Sequence, residues 1–372
     1  MNHGQNNIAV DKLPVVVHIL AALDYGGVER HMELIAHAMP NSYFQHIFVA
    51  IGRGGATEKN LLNIGAKVIC LDQKSNIPST GALWALFCLF RHLRPFAVHA
   101  HGAEANFHAL PVAWLAGIQV RIGEEIGIPR HSRKARWIFR QVYRVADRVI
   151  GISQSVVDWL VYSGEVPRKK TVKIFNPVQL PDARGNVVDT PSVFRIGFVG
   201  RLEAVKNVLS LFTAFENILS DSVTCELWVI GDGSERAELE RRVAKAKLKN
   251  VVRIFGYQAD PASLLRQCHV YVQPSLSEGF GLAIVEAMGC GLPVIATAVG
   301  GAPEILKHGH TGWLLPEPSP GCIANAIRQA LRMNWSDLYA MGAKARIAVI
   351  GRFEPVAYLS DMDALYNHPL RK

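Results

Sequence analysis

Short apolar segments alternate with helix-length segments along this chain, and the alternation stops once and then resumes. Strand-like runs occur at 15–20, 44–51, 67–71, 96–100, 120–124 and 148–151, with helical stretches between them, including 27–39, 81–93 and 104–116. A continuous apolar run such as Val-Val-Val-His-Ile-Leu at 15–20 suits a strand covered on both faces. Strand and helix in strict succession imply a parallel sheet with helices on each side. Residues 176–191 (NPVQLPDARGNVVDTP) replace the rhythm with Pro, Gly, Asn and Asp and read as a linker. Strands are then expected at 194–199, 227–230, 251–255, 270–273, 293–296 and 313–315, with a mostly helical tail at 321–366. A chain of 372 residues can fill two cores. The expected fold class is α/β, with two Rossmann-like, doubly wound domains facing a central cleft. The limits are 1–178, a linker at 179–192, 193–350, and a closing segment at 351–372. In such sheets, ligands bind at the carboxyl ends of the strands.

Bulk properties exclude several classes. The six cysteines are scattered, with no C-x-x-C and no Cys/His cluster, so a disulfide framework or zinc site is not expected. Residues 1–12 are polar and hold no apolar core of a signal peptide. The most apolar run, 81–90, is half the length of a membrane span. A soluble cytoplasmic chain is therefore expected. The net charge of +9 is uneven: residues 121–148 alone carry a net +5. Arg133, Arg136, Arg140 and Arg144 share one helical face, with Ile138, Val142 and Val145 on another. With Trp137 and Tyr143, this basic helix (131–146) fits an anionic membrane surface as well as it fits a core-packed helix with a solvated basic side. No nucleic-acid reader motif accompanies the charge, so no nucleic-acid partner is expected.

The most informative local feature is Ser277-Glu-Gly-Phe-Gly-Leu-Ala-Ile-Val-Glu-Ala-Met-Gly289. It follows the strand expected at 270–273 and contains two acids eight positions apart. Gly279 and Gly281 permit a tight turn and close approach to a ligand. Leu282 onward is helix-forming, and the free N–H groups at a helix start favour phosphate. A carboxylate partners phosphate poorly but accepts well from sugar hydroxyls. Phosphate on the backbone at the helix start, with hydroxyls on Glu278 and Glu286, describes a nucleotide-sugar. The competing reading is a buried turn with two solvated acids.

Other candidates also follow expected strands. Gly26-Gly27 follow the first strand. Gly200-Arg201 and Lys206 follow the strand at 194–199, where a guanidinium and an ammonium reach a pyrophosphate and offset charge on a leaving diphosphate. His101 ends the strand at 96–100 and is expected to face the cleft. Glu304, after Gly300-Gly301, reads as a favourable acid in a helix's first turn or as a ligand contact. Gly231-Asp232-Gly233 lacks the rest of G-x-G-x-x-G, so a dinucleotide-dependent oxidoreductase finds little support. No D-x-D triplet is present, and no metal is expected; Arg201 and Lys206 take over charge neutralisation.

Taken together, GGVERHMELIAHAM (26–39), HAHG (99–102), GISQSV (151–156), GFVGRLEAVKN (197–207), VIGDGSERAELE (229–240), FGY (255–257), PSLSEGFGLAIVEAMGCGLPVIA (274–296) and GGAPEIL (300–306) resemble glycosyltransferase family 4, the retaining GT-B group. The resemblance covers nearly the whole chain. It implies that Arg201 and Lys206 bind diphosphate, Glu278 contacts the transferred sugar, and Glu286 accepts from the ribose. It also implies donor contacts at Gly27, Gly200, Gly279, Phe280, Gly281 and Leu282, and an acceptor-side role for His101. The family works without a metal, and its last helix often crosses back onto the first domain. Asn176-Pro-Val-Gln179 replaces the family's frequent Asn-Gly-Val-Asp and resembles the bacterial polysaccharide subgroup. The expected activity is retaining transfer of a sugar from a nucleotide-diphosphate sugar, UDP- or GDP-linked, with no further cofactor. The expected acceptor is a glycan or lipid-linked glycan of the bacterial envelope. The alternatives are a GT-B isomerase or phosphorylase, or a non-catalytic cationic binding protein.

Overall fold

The computed structural model describes residues 13–24, 27–129, 131–183, 192–219 and 224–367. The first lobe runs β1 (Val15–Leu20), α1 (Gly27–Ala38), β2 (Gln45–Ala50), α2 (Ala56–Asn63), β3 (Lys67–Cys70), α3 (Thr80–Leu93), β4 (Ala97–His101), α4 (Ala103–Leu115), β5 (Val120–Glu125), α5 (Arg133–Arg144), β6 (Arg148–Gly151), α6 (Gln154–Tyr162) and β7 (Thr171–Lys173). The second runs β8 (Phe194–Val199), α7 (Val208–Leu219), β9 (Cys225–Ile230), α8 (Arg236–Lys245), β10 (Val252–Gly256), α9 (Ala262–Leu265), β11 (Val270–Gln273), α10 (Leu282–Gly289), β12 (Val294–Thr297), α11 (Ala302–Ile305) and β13 (Gly312–Leu315). The helical tail forms α12 (Pro320–Arg332), α13 (Trp335–Val349) and α14 (Pro355–Asn367). Gly26, the N-terminal segment 1–12, residues 184–191 of the expected linker and the end of the closing segment (368–372) lie outside the described residues.

The strand orders are β3-β2-β1-β4-β5-β6-β7 and β10-β9-β8-β11-β12-β13, and the pairings are parallel. Each sheet reverses its winding direction beside its first strand, between β1 and β4 and between β8 and β11. Chain leaves neighbouring strands in opposite directions there, so a crevice opens at their carboxyl ends. The expected α/β architecture holds. β7 escaped the sequence reading because it is three residues long and half-exposed, with too little apolar patterning to register.

α14 packs on α1, far back along the sequence. The Asp363 carboxylate accepts from Ser42 Oγ (2.9 Å) and from the Tyr43 amide (2.9 Å), which fixes the helix against the first lobe.

Glu304 joins the lobes. Its carboxylate accepts from the Gln154 amide (2.6 Å) and from Lys173 Nζ (2.7 Å), both in the first lobe. Ser155 Oγ also donates to the Gly300 carbonyl (3.0 Å). Glu304 does lie in the first turn of α11, but its partners make it a clasp between lobes. Hydrogen bonds to a charged group contribute about 1.5–3 kcal/mol each. Glu304→Ala is therefore expected to speed hydrogen exchange at the Gln154 amide at least tenfold while leaving β12 unchanged. An unchanged exchange rate at the Gln154 amide in the variant would contradict the clasp.

Candidate active site

The four strands that flank the two switch points carry most of the residues singled out from the sequence. Gly27 opens α1 after β1, and His101 ends β4. Gly200, Arg201 and Lys206 follow β8, and the 278–282 turn follows β11. The rest of the arrangement depends on how these loops are held.

Lys206 ends a 3-10 turn at Ala204–Lys206, and the next residue, Asn207, is left-handed at φ 58°. Asn tolerates that conformation. Its side-chain amide donates to the carbonyls of Pro274 (3.1 Å) and Pro318 (2.9 Å), tying the β8 loop to the β11 loop. Lys206 Nζ then donates to Glu278 Oε2 at 2.7 Å. The same oxygen accepts from Ser275 Oγ at 3.2 Å, and Ser275 in turn accepts from Gln273 Nε2 at 2.8 Å. Glu278 is thus held by a polar ladder rising from β11, and it faces a sheltered ammonium.

α10 starts at Leu282 behind Gly281, whose φ of 110° only glycine adopts readily. Its first N–H groups lack intrahelical partners by construction and point into the crevice end of the sheet. Glu286 lies one turn in. Burial raises the Glu286 carboxyl above its usual range, while Arg30 of α1 pulls the other way from 3.8 Å. Burial first, then the charges of Glu278 and Glu286, push the Tyr271 phenol well above its usual value. The two glutamates eight residues apart thus flank the start of α10, Glu278 before it and Glu286 one turn inside.

Two close approaches shape the turn. A Cβ on Gly300, at φ +58°, would sit 1.5 Å from the Glu278 carbonyl oxygen. On the opposite side, a Cβ on Gly279 would meet Gly127 Cα of the first lobe at 3.3 Å. The turn is thus sandwiched between the Gly300-Gly301 backbone and the end of β5.

Not every expected residue joins this group. Arg201 bonds Glu203 Oε1 at 2.9 Å with its side chain 72% exposed, so it stands at the rim. His101, expected to face the cleft, has a wholly buried side chain that touches Glu124 and His18. Strand alternation puts His99 and His101 on one face, and that face is covered by α1 and α14. Arg30 escaped the sequence reading, although it lies three residues into the helix that follows Gly26-Gly27. Nothing local marked it, because its partner Glu286 is in the other lobe.

Comparison with known proteins agrees with this arrangement. The family model for Glycosyltransferase Family 4 matches residues 25–180, and that for Glycosyl transferases group 1 matches residues 189–348. A GDP-mannose-dependent alpha-mannosyltransferase of Mycobacterium tuberculosis is 30% identical over 293 residues, covering 74% of this chain and 71% of that protein. The capsular polysaccharide biosynthesis glycosyltransferase CapM of Staphylococcus aureus is 29% identical over 311 residues, 78% of this chain and 81% of that one. An N-acetyl-alpha-D-glucosaminyl L-malate synthase of Bacillus anthracis is 32% identical, but over only 46% of this chain and 45% of its own length. Among solved structures, Anabaena Alr3699/HepE in complex with UDP superposes with a TM-score of 0.80 at 20% identity, covering 95% of this chain and 99% of that one. A glycosyltransferase from Rickettsia africae gives a TM-score of 0.81 at 20% identity, covering 97% and 100%. Two family models that meet at the linker, and relatives matched across both lobes, make this chain a member of glycosyltransferase family 4, built on the GT-B fold.

Proposed function

We propose that the protein transfers a sugar, with retention, from a nucleoside-diphosphate sugar to a hydroxyl acceptor. The observation that carries this reading is the Lys206–Glu278 pair at 2.7 Å, set beside the start of α10 at the second-lobe switch point. A diphosphate at the helix start meets N–H groups from α10, the ammonium of Lys206 and, after a swing inward from the rim, the guanidinium of Arg201. Glu286 accepts from the ribose hydroxyls, with Arg30 closing over it from the first lobe. Glu278 accepts from the transferred sugar. Backbone at Gly27 and Gly200, and at Gly279, Phe280, Gly281 and Leu282, completes the donor contacts. The C1–O bond to the diphosphate breaks and a C1–O bond to the acceptor forms, with the acceptor proton passing to the diphosphate. Cations and the helix start stabilise the charge that develops on the leaving group. These groups supply the neutralisation, so the reading assigns no cofactor to the transfer.

The acceptor is proposed to be a glycan or lipid-linked glycan, supported by the capsular, colanic acid and amylovoran biosynthesis names of relatives. Among the described residues, no helix is long and apolar enough to cross a membrane. In α5, Phe139, Val142 and Tyr143 are buried, while its basic residues are exposed and Trp137 is 65% exposed. The helix thus packs into the lobe and still offers a basic, aromatic-bearing face. That face supports a cytoplasmic protein that lies on an anionic membrane surface. We place the domain limits at 1–178 and 193–350, with 351–372 returning to the first lobe.

Thermal-shift measurements with UDP, GDP and ADP test the donor class. A ligand at a hundredfold excess over its Kd stabilises the native state by about 2.7 kcal/mol. One nucleotide is expected to raise Tm by several degrees, and Arg201→Ala to shrink that shift. No response to any of the three would count against the reading. An epimerised sugar or a sugar phosphate as product would favour the isomerase or phosphorylase alternative.

A further inference from the structure

The chain crosses between the lobes twice. One crossing follows β7; the other joins α13, which packs on α10, to α14, which packs on α1. The two crossings touch: the Val178 amide donates to the Phe353 carbonyl at 2.7 Å. Rotation of one lobe against the other is absorbed by such element-terminal segments, because they carry the covalent connection. Each crossing brings a phenylalanine to the contact, Phe175 just after β7 and Phe353 just before α14.

A third ring comes from the turn that opens α10. The Phe280 centroid lies 5.5 Å from that of Phe175 and 5.4 Å from that of Phe353, and those two are 5.2 Å apart. Phe353 meets both partners edge to face, at interplanar angles of 76° and 63°, as the quadrupoles of aromatic rings favour. Phe280 and Phe353 are buried. On the outer side, the Arg352 guanidinium lies 5.2 Å from the Phe175 centroid and 4.8 Å from that of Phe353, and it donates to the Glu304 carbonyl at 3.1 Å. Lys173 Nζ lies 4.9 Å from the Phe175 centroid while it bonds the Glu304 carboxylate. The Phe280 backbone is enclosed as well, since a Cβ on Gly301 would meet its carbonyl oxygen at 2.4 Å. With ring and backbone both close-packed, a shift of Phe175 or Phe353 passes on to the turn instead of being lost in loose packing.

We propose that Phe175 and Phe353 are positioning residues for the donor site: through the Phe280 ring, they set the turn that opens α10 according to the angle between the lobes. The inference rests on the donor reading given above, in which the start of α10 receives the diphosphate. Neither ring touches the donor in that reading. They act on the N–H groups that do, because Phe280 lies two residues before Leu282, the first residue of α10. The effect is reciprocal: a nucleotide that fixes the turn also favours the lobe angle at which the three rings pack. Occupancy of the second lobe and closure of the first over it are thereby coupled through one aromatic cluster.

Calorimetric titration with UDP, GDP and ADP tests the coupling. Phe175→Leu keeps an apolar side chain but removes the ring. It is expected to weaken binding of the nucleotide that the wild type takes up by about tenfold, a usual size for coupling between linked sites. Phe175→Tyr keeps the ring, and position 175 is only half-buried, so the added hydroxyl reaches water. Its affinity is expected within about twofold of wild type. Phe90→Leu, in the first-lobe core on α3, controls for a general loss of stability and is expected to lower Tm without changing affinity. Wild-type affinity in Phe175→Leu overturns the positioning role. Equal weakening in Phe90→Leu, or no recovery in Phe175→Tyr, overturns it too. If none of the three nucleotides binds the wild type, the donor reading itself falls, and this inference falls with it.

Discussion

Lys206→Ala is expected to lower the transfer rate about 10²–10³-fold, mostly in kcat, the size of effect seen when one preorganised charge partner of a transition state is removed. The ammonium sits 2.7 Å from Glu278 Oε2 in a sheltered position, so its charge acts at close range and with little water around it. It neutralises Glu278 before the donor arrives and then shares its charge with the departing diphosphate. The variant loses both functions. Glu278 stays anchored by Ser275 and Gln273, now as an uncompensated carboxylate next to a phosphate site. Lys206→Arg keeps the charge but replaces a compact donor with a planar fork, and is expected to recover only part of the rate. Product-resolved initial rates, alongside Tm values to confirm folding, make the test. Wild-type kcat in the alanine variant would contradict the role given to this residue.

Gly300→Ala is expected to be as damaging, although residue 300 contacts no ligand in this account. Its φ of 58° already disfavours a side chain, and the added Cβ would fall 1.5 Å from the Glu278 carbonyl oxygen, well inside van der Waals contact. Backbone cannot yield as a flexible side chain would, so the 278–281 turn must move. A displacement of about 1 Å of a positioning element costs on the order of 10² in rate. The chain folds around this contact with buried β12 beside it, so the expected signature is lost turnover and weaker nucleotide binding with a smaller drop in Tm. Gly291→Ala is a suitable control: it too has positive φ, at 80°, but nothing lies near its Cβ. If Gly300→Ala and Gly291→Ala behave alike in kcat, the turn is not held as described.

The fold was legible because parallel strands covered on both faces are near-continuous apolar runs, as in β1 and β12. The second-lobe site was legible for a local reason: Glu278, the glycine turn and Glu286 lie within nine residues, so chain geometry alone brings them together. Features that depend on tertiary contact were not legible. Arg30 gains meaning only when α1 meets Glu286 across the lobes. Glu304 could be placed at a helix start, but its partners Gln154 and Lys173 are more than a hundred residues away. The burial of His101 was not legible from its place at a strand end. Alternation shows that it shares a face with His99, but which face α14 covers is decided by a helix 250 residues downstream. The Phe175–Phe280–Phe353 cluster was hidden for the same reason.

The structure of the protein with the nucleoside diphosphate selected by thermal shift decides whether the β8–β11 switch point holds the donor. Diphosphate oxygens are predicted within about 2.7–3.2 Å of Lys206 Nζ and of the first N–H groups of α10, with the ribose on Glu286. A nucleotide bound away from the β8–β11 switch point, or with its ribose turned from Glu286, would contradict it.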